Sequence, residues 1–99
     1  MNNQIGYRLE QYTAKRPREV LLVKAEIEGQ LDQIAIFKGY SSSLMRPTAF
    51  DLDIPVLPDT AKIITIDRLE GPYNPNQPRY LQQGLTWDDF QPLLADTGV

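Results

Sequence analysis

The sequence predicts one α+β domain, β-rich, in which a curved antiparallel sheet or small open barrel carries a short C-terminal helix packed on it. Three observations lead there. Two aliphatic and β-branched runs flank a turn between Arg18 and Lys38, a third such run spans Ala61 to Leu69, and Thr86 opens a stretch with helical apolar spacing. A chain of 99 residues is long enough for one compact core and too short for two, so residues 1–99 are read as a single domain.

Taken in order, Ile5, Tyr7 and Leu9 alternate with Arg8 and Glu10, which predicts a short first strand. Thr13-Ala14-Lys15-Arg16-Pro17-Arg18 then reads as a basic turn. Val20-Leu21-Leu22-Val23 is continuously apolar and Lys24 to Glu28 alternates, the pattern of a strand covered on both faces at its start and half-exposed at its end. Gly29-Gln30 fits the centre of a type II′ turn, and Leu31 to Lys38 supplies the returning strand.

From Gly39 to Thr60 the chain reads as a long irregular segment with Pro47, Pro55 and Pro58. Within it Phe50 to Ile54 alternates, as an edge strand would. Ala61 to Leu69 is the next strand and stops at Gly71-Pro72. The prolines from Pro72 to Pro78 forbid regular structure, after which Pro78 suits the first position of a short helical turn ending at Gly84. Thr86 is the N-cap of the final helix, Asp88 and Asp89 suit its first turn, and Trp87, Phe90 and Leu94 form its apolar stripe. Pro92 is expected to kink or shorten it.

Composition narrows function more than any motif does. The chain has neither cysteine nor histidine, which excludes disulfides, thiolate catalysis and Cys-based zinc, and removes the usual neutral-pH acid/base group. The expectation is a protein that is not an enzyme and carries no cofactor and no metal. A net charge of −3 and an isoelectric point near 4.8 disfavour general affinity for nucleic acid or anionic lipid. No apolar run approaches the roughly 20 residues that span a bilayer. The start, Met1 to Arg8, lacks an apolar signal region, so a cytoplasmic location is expected.

Each motif with chemical potential has an ordinary structural explanation. Ser41-Ser42-Ser43 after Gly39 lacks the Gly-Lys-Ser/Thr of a phosphate loop and has no histidine to activate a nucleophile, so it reads as a turn. Asp51 and Asp53 fit one solvated side of a strand, and Asp88 and Asp89 answer to helix electrostatics. Lys15, Arg16 and Arg18, joined by Lys24, Lys38 and Arg46, would make a basic patch beside Tyr7, Tyr12 and Tyr40. This patch gives the alternative reading, single-stranded RNA binding, for which the nominated residues are Lys15, Arg16, Arg18 and Tyr12.

The preferred reading is a protein-interaction module, homo-oligomeric or bound to another protein. Leu44, Met45 and Phe50 place apolar groups in a loop-like region together with Tyr40 and Arg46, so residues 39–50 are the expected contact surface. An enzyme or small-ligand carrier would require a deep pocket with converging polar groups.

The runs Ile36-Phe37-Lys38-Gly39-Tyr40-Ser41-Ser42-Ser43-Leu44-Met45-Arg46-Pro47-Thr48 and Gly84-Leu85-Thr86-Trp87-Asp88-Asp89-Phe90 resemble a small uncharacterised protein family of cyanobacteria with plant chloroplast relatives. The resemblance extends from about Glu19 to Leu94. It implies a photosynthetic lineage and assigns no catalytic residue.

Overall fold

The computed structural model describes residues 5–44, 61–74 and 76–99. Its elements are α1 (Ile5–Lys15), β1 (Glu19–Ile27), β2 (Gln30–Phe37), β3 (Tyr40–Ser43), β4 (Lys62–Glu70), β5 (Tyr80–Leu85) and α2 (Trp87–Thr97). The strands pair antiparallel in the order β3-β2-β1-β4-β5, an open sheet with β3 and β5 at its edges. The α+β class stands, as an open sheet rather than a closed barrel.

The first element corrects the sequence reading. Ile5 to Lys15 is helical, because the residues that meet the core are Ile5, Leu9, Tyr12 and Thr13, spaced by four and three, while Tyr7 faces outward. Helix α1 covers β1, β2 and β3 on the same side of the sheet as α2, which lies over β4 and β5. Between helices and sheet, Leu9, Tyr12, Leu21, Val23, Ala25, Ile34, Ile36, Ile66, Phe90 and Leu94 form the main core. Full burial of each large aliphatic side chain there contributes about 2 kcal/mol. The Tyr12 and Phe90 rings meet edge to face at 5.0 Å and tie the two helices together.

The uninterrupted apolar start of β1 has the predicted cause. Leu21 and Val23 point to the helices, whereas Val20 and Leu22 point to the other face, where they cluster with Ala35, Leu69 and the half-buried Tyr73. The hairpin turn lies one residue earlier than expected: Ile27 pairs with Gln30, and Glu28 and Gly29 are its central residues, with φ of 53° and 78°. Two positive φ values are the mark of a type I′ turn, whose twist matches that of the strands. Lys38-Gly39 repeats the pattern with φ of 52° and 85° and returns the chain into β3. Residues 40–43, read as the start of an irregular segment, are therefore an edge strand. The alternation from Phe50 to Ile54, with Asp51 and Asp53, lies outside the described residues.

The third apolar run is β4, with a bulge at Ile64 where the register against β1 shifts. At its end Gly71 N–H donates to the Arg18 carbonyl at 2.7 Å; a Cβ on Gly71 would come within 3.2 Å of that oxygen. The helical turn expected between Pro78 and Gly84 is instead β5. Its backbone pairs with β4 while almost all its side chains face solvent, so the segment carries no apolar periodicity.

Helix α2 begins as predicted. Thr86 accepts from Asp89 N–H while the Asp89 carboxylate accepts from Thr86 N–H, a complete capping box. Pro92 does not shorten it: the helix runs on to Thr97, and Gly98 closes it at φ 79°. Cations of α1 support that end, with Lys15 Nζ donating to the Thr97 carbonyl at 3.1 Å and Arg8 to the Val99 carbonyl at 3.2 Å.

Candidate functional site

Residues directly opposite in an antiparallel ladder share a face. Tyr40 lies opposite Phe37, Phe37 opposite Val20, Val20 opposite Leu69, and Leu69 opposite Tyr80. These pairings define one row across all five strands, on the face turned away from both helices. The centre of the row is buried, with Tyr73 packed against the cluster that includes Val20 and Leu69. Its two ends are not: Tyr40 is 73% exposed, Phe37 42% and Tyr80 43%. Leu44, which continues the chain from β3, is 46% exposed, and its N–H donates to the Gln33 carbonyl at 2.8 Å.

Three exposed cations stand at this end of the sheet, each fixed there by a strand terminus. Arg18 immediately precedes β1, Lys38 immediately follows β2, and Arg79 immediately precedes β5. Arg79 is linked to Glu70 across 3.5 Å, both exposed. For Arg18 and Lys38 no ion pair occurs among the described residues. Glu70 lies opposite Glu19 and Arg79 pairs with Glu70, so that ion pair belongs to the helix side of this end, and Arg18 and Lys38 are the cations left beside the aromatic row.

The principal buried ionic cluster lies on the other face. Glu19 accepts from Tyr12 Oη at 2.7 Å and from Arg68 Nε and Nη2 at 3.0 and 2.9 Å, a two-pronged pairing. Arg68 also donates to Gln82. Burial pushes the Glu19 carboxyl up, but the hydrogen bonds from Arg68 and Tyr12 outweigh it and hold the group below its ordinary range. The Tyr12 hydroxyl is pushed up to about 12, first by burial and then by its bond to the Glu19 carboxylate. This satisfied cluster fastens α1 to β1 and β4.

The nominated residues are distributed as follows. Tyr12 is fully buried, so its ring is unavailable for stacking on a ligand. Arg16 stacks over Tyr12 at 5.8 Å and approaches Glu19 and Asp96 at 4.0 and 3.8 Å, while Lys15 binds the end of α2; both belong to the helical layer. Arg18 alone of the nominated cations reaches the aromatic end of the sheet. Lys24 shares the row's face but lies farther along β1, opposite Gln33 and Thr65. Tyr40 and Leu44 are exposed as a contact surface requires, and Met45, Arg46 and Phe50 lie outside the described residues.

The three serines form strand rather than turn, with Ser41 Oγ donating to Glu10 at 2.5 Å and Ser43 Oγ to Asp32 at 2.9 Å. Phe37, Tyr73, Tyr80 and Arg79 were missed as surface residues. The Lys38-Gly39 turn signal could have placed Phe37 against Tyr40, whereas Tyr80 was hidden by reading its segment as helical.

Fold and site together define a small open-sheet α+β domain with two helices on one face and an aromatic row on the other, with Arg18 and Lys38 at adjoining strand ends. The chain belongs to a family defined by a domain of unknown function, DUF7734, which matches residues 6–94. No curated protein and no solved structure matches it. Among the described residues no helix is long and apolar enough to cross a membrane.

Proposed function

We propose that this protein is a non-enzymatic interaction module of the cytoplasm that binds another protein, or a second copy of itself, through the sheet face opposite its helices. The observation that carries this reading is the exposure of Tyr40 and Phe37, paired directly across β3 and β2, with Leu44 also exposed just past the other end of β3. Aromatic rings offer large contact area at low entropic cost, and such rings are enriched at protein interfaces. Light scattering and affinity capture with the wild type and a Tyr40→Ser/Leu44→Ser variant test the proposal. A mass above the monomer, or a captured protein, that is lost in the variant is the expected result. A monomer that captures nothing, or an interaction indifferent to both substitutions, refutes it.

A second reading, single-stranded RNA binding, draws on Arg18 standing at the same end of the sheet as the aromatic row. Bases stack on sheet aromatics while cations follow the phosphates. It requires salt-sensitive affinity for an oligonucleotide that falls on Arg18→Ala. Indifference to Arg16→Ala and Arg18→Ala counts against it.

A further inference from the structure

We infer that the surface takes an acidic, extended protein segment laid across the strands, its apolar side chains against Tyr40, Phe37 and Tyr80 and its carboxylates toward Arg18 and Lys38; this rests on the protein-binding reading above.

Spacing supplies the first argument. Tyr40 on β3 and Tyr80 on β5 are separated by four inter-strand steps, roughly 19 Å at about 4.8 Å each. An extended chain of about six residues covers that distance. Its alternate side chains would meet the two exposed ends of the row, with the Tyr73-covered centre between them.

Charge supplies the second argument. Arg18 and Lys38 are exposed at strand ends that border the row, while Arg79 is engaged by Glu70, which lies opposite Glu19 on the helix side. A partner that leaves these cations beside its own positive groups is rejected, while one carrying carboxylates is steered in. A second copy meeting row to row about an axis parallel to the strands would set the cations against their own counterparts. Nucleic acid also fits less well. A strand of about six nucleotides brings a phosphate at every step, more charge than Arg18 and Lys38 can offset, whereas a peptide needs a carboxylate only where a cation faces it.

Selection of a random dodecapeptide phage library on the immobilised full chain tests the inference. Enriched peptides are expected to be net negative with apolar residues at alternate positions. A synthetic copy of the strongest should lose at least tenfold in affinity to an Arg18→Glu/Lys38→Glu variant and to a Phe37→Ser/Tyr40→Ser variant, both checked for native circular dichroism. Should either variant fail to fold, Lys38→Ala and Tyr40→Ala alone must each weaken binding.

Neutral or basic enriched peptides overturn the inference and leave the protein-binding reading in place, as does self-association through the row. No enrichment from a chain that is monomeric and captures nothing overturns both. A fluorescent ten-nucleotide oligouridylate that binds more tightly than any selected peptide also overturns both, in favour of nucleic acid.

Discussion

Replacing Glu19 with leucine removes the anion from the buried Tyr12–Glu19–Arg68 cluster without removing its volume. Arg68 is left with Gln82, its side chain 16% exposed, and the fully buried Tyr12 hydroxyl loses its acceptor. Stranding one member of a buried ion pair costs about 3–5 kcal/mol, here near the lower end because Arg68 keeps a second partner. An unsatisfied buried hydroxyl adds about 1 kcal/mol. The expected loss is about 4 kcal/mol, against a total of roughly 5–15 kcal/mol for a domain. Urea unfolding followed by the fluorescence of Trp87 reads it as a midpoint lowered by about 2 M at a slope near 2 kcal/mol/M. Replacing both charges, Glu19→Leu with Arg68→Met, should recover about half the loss or more, because no ion is then left unpaired. The loss should also shrink in acid. The folded Glu19 pKa lies below its unfolded value near 4.5, so its contribution is complete above about pH 5 and disappears as pH falls through the depressed folded value. A Glu19→Leu loss below 1 kcal/mol, additivity in the double variant, or a gap from wild type that does not change with pH would refute the reasoning.

The same cluster predicts alkaline sensitivity. Tyr12 has a folded pKa of about 12 against 10.0 in the unfolded chain, so its contribution is full below pH 10 and declines as pH rises toward 12. Tyr12→Phe should flatten that decline in thermal melts while costing about 1 kcal/mol at neutral pH. Thr86→Ala breaks the α2 capping box and should cost about 1 kcal/mol by urea titration; an unchanged midpoint would dismiss the cap as a stabilising device. Pro92→Ala restores an amide donor inside α2 and should raise stability by about 1–3 kcal/mol. Loss of stability instead would show that the core is packed around the proline.

Where local pattern and burial agree, the sequence is legible. The β1–β2 hairpin and β4 lie close to their expected places because one face of each must be apolar, and α2 is announced by a cap whose chemistry is entirely local. Helix α1 is disguised in the sequence because Ile5, Tyr7 and Leu9 alternate by chance. The informative residue was Tyr12, which with Leu9 and Ile5 completes a helical stripe and leaves Tyr7 outside. Strands β3 and β5 were invisible for a different reason. As edges they bury little, and what holds them is backbone pairing to a neighbour that no local pattern identifies. The candidate surface inherits this blindness. Tyr40 and Leu44 can be singled out as apolar groups in a polar stretch, but the alignment of Tyr40 with Phe37 and Tyr80 exists only once the register is known.

The position of β1 between β2 and β4 sets the order in which the sheet is won. On one side it pairs with the strand two residues downstream, and on the other with a strand that begins at Lys62. Closing a short loop loses less chain entropy than closing a long one, so β1, β2 and β3 are expected to assemble as a meander before β4 docks. A weakened contact between Val23 and Ile34 should therefore slow folding, whereas one between Leu69 and Tyr80 should mainly hasten unfolding. Stopped-flow measurements on variants at those pairs separate the two limbs. The proposed partner site spans both stages of this sequence, with Tyr40 and Phe37 on the early half and Tyr80 on the late one. A complete row is thus a certificate of finished folding, and a ligand that needs both ends recognises only the native chain.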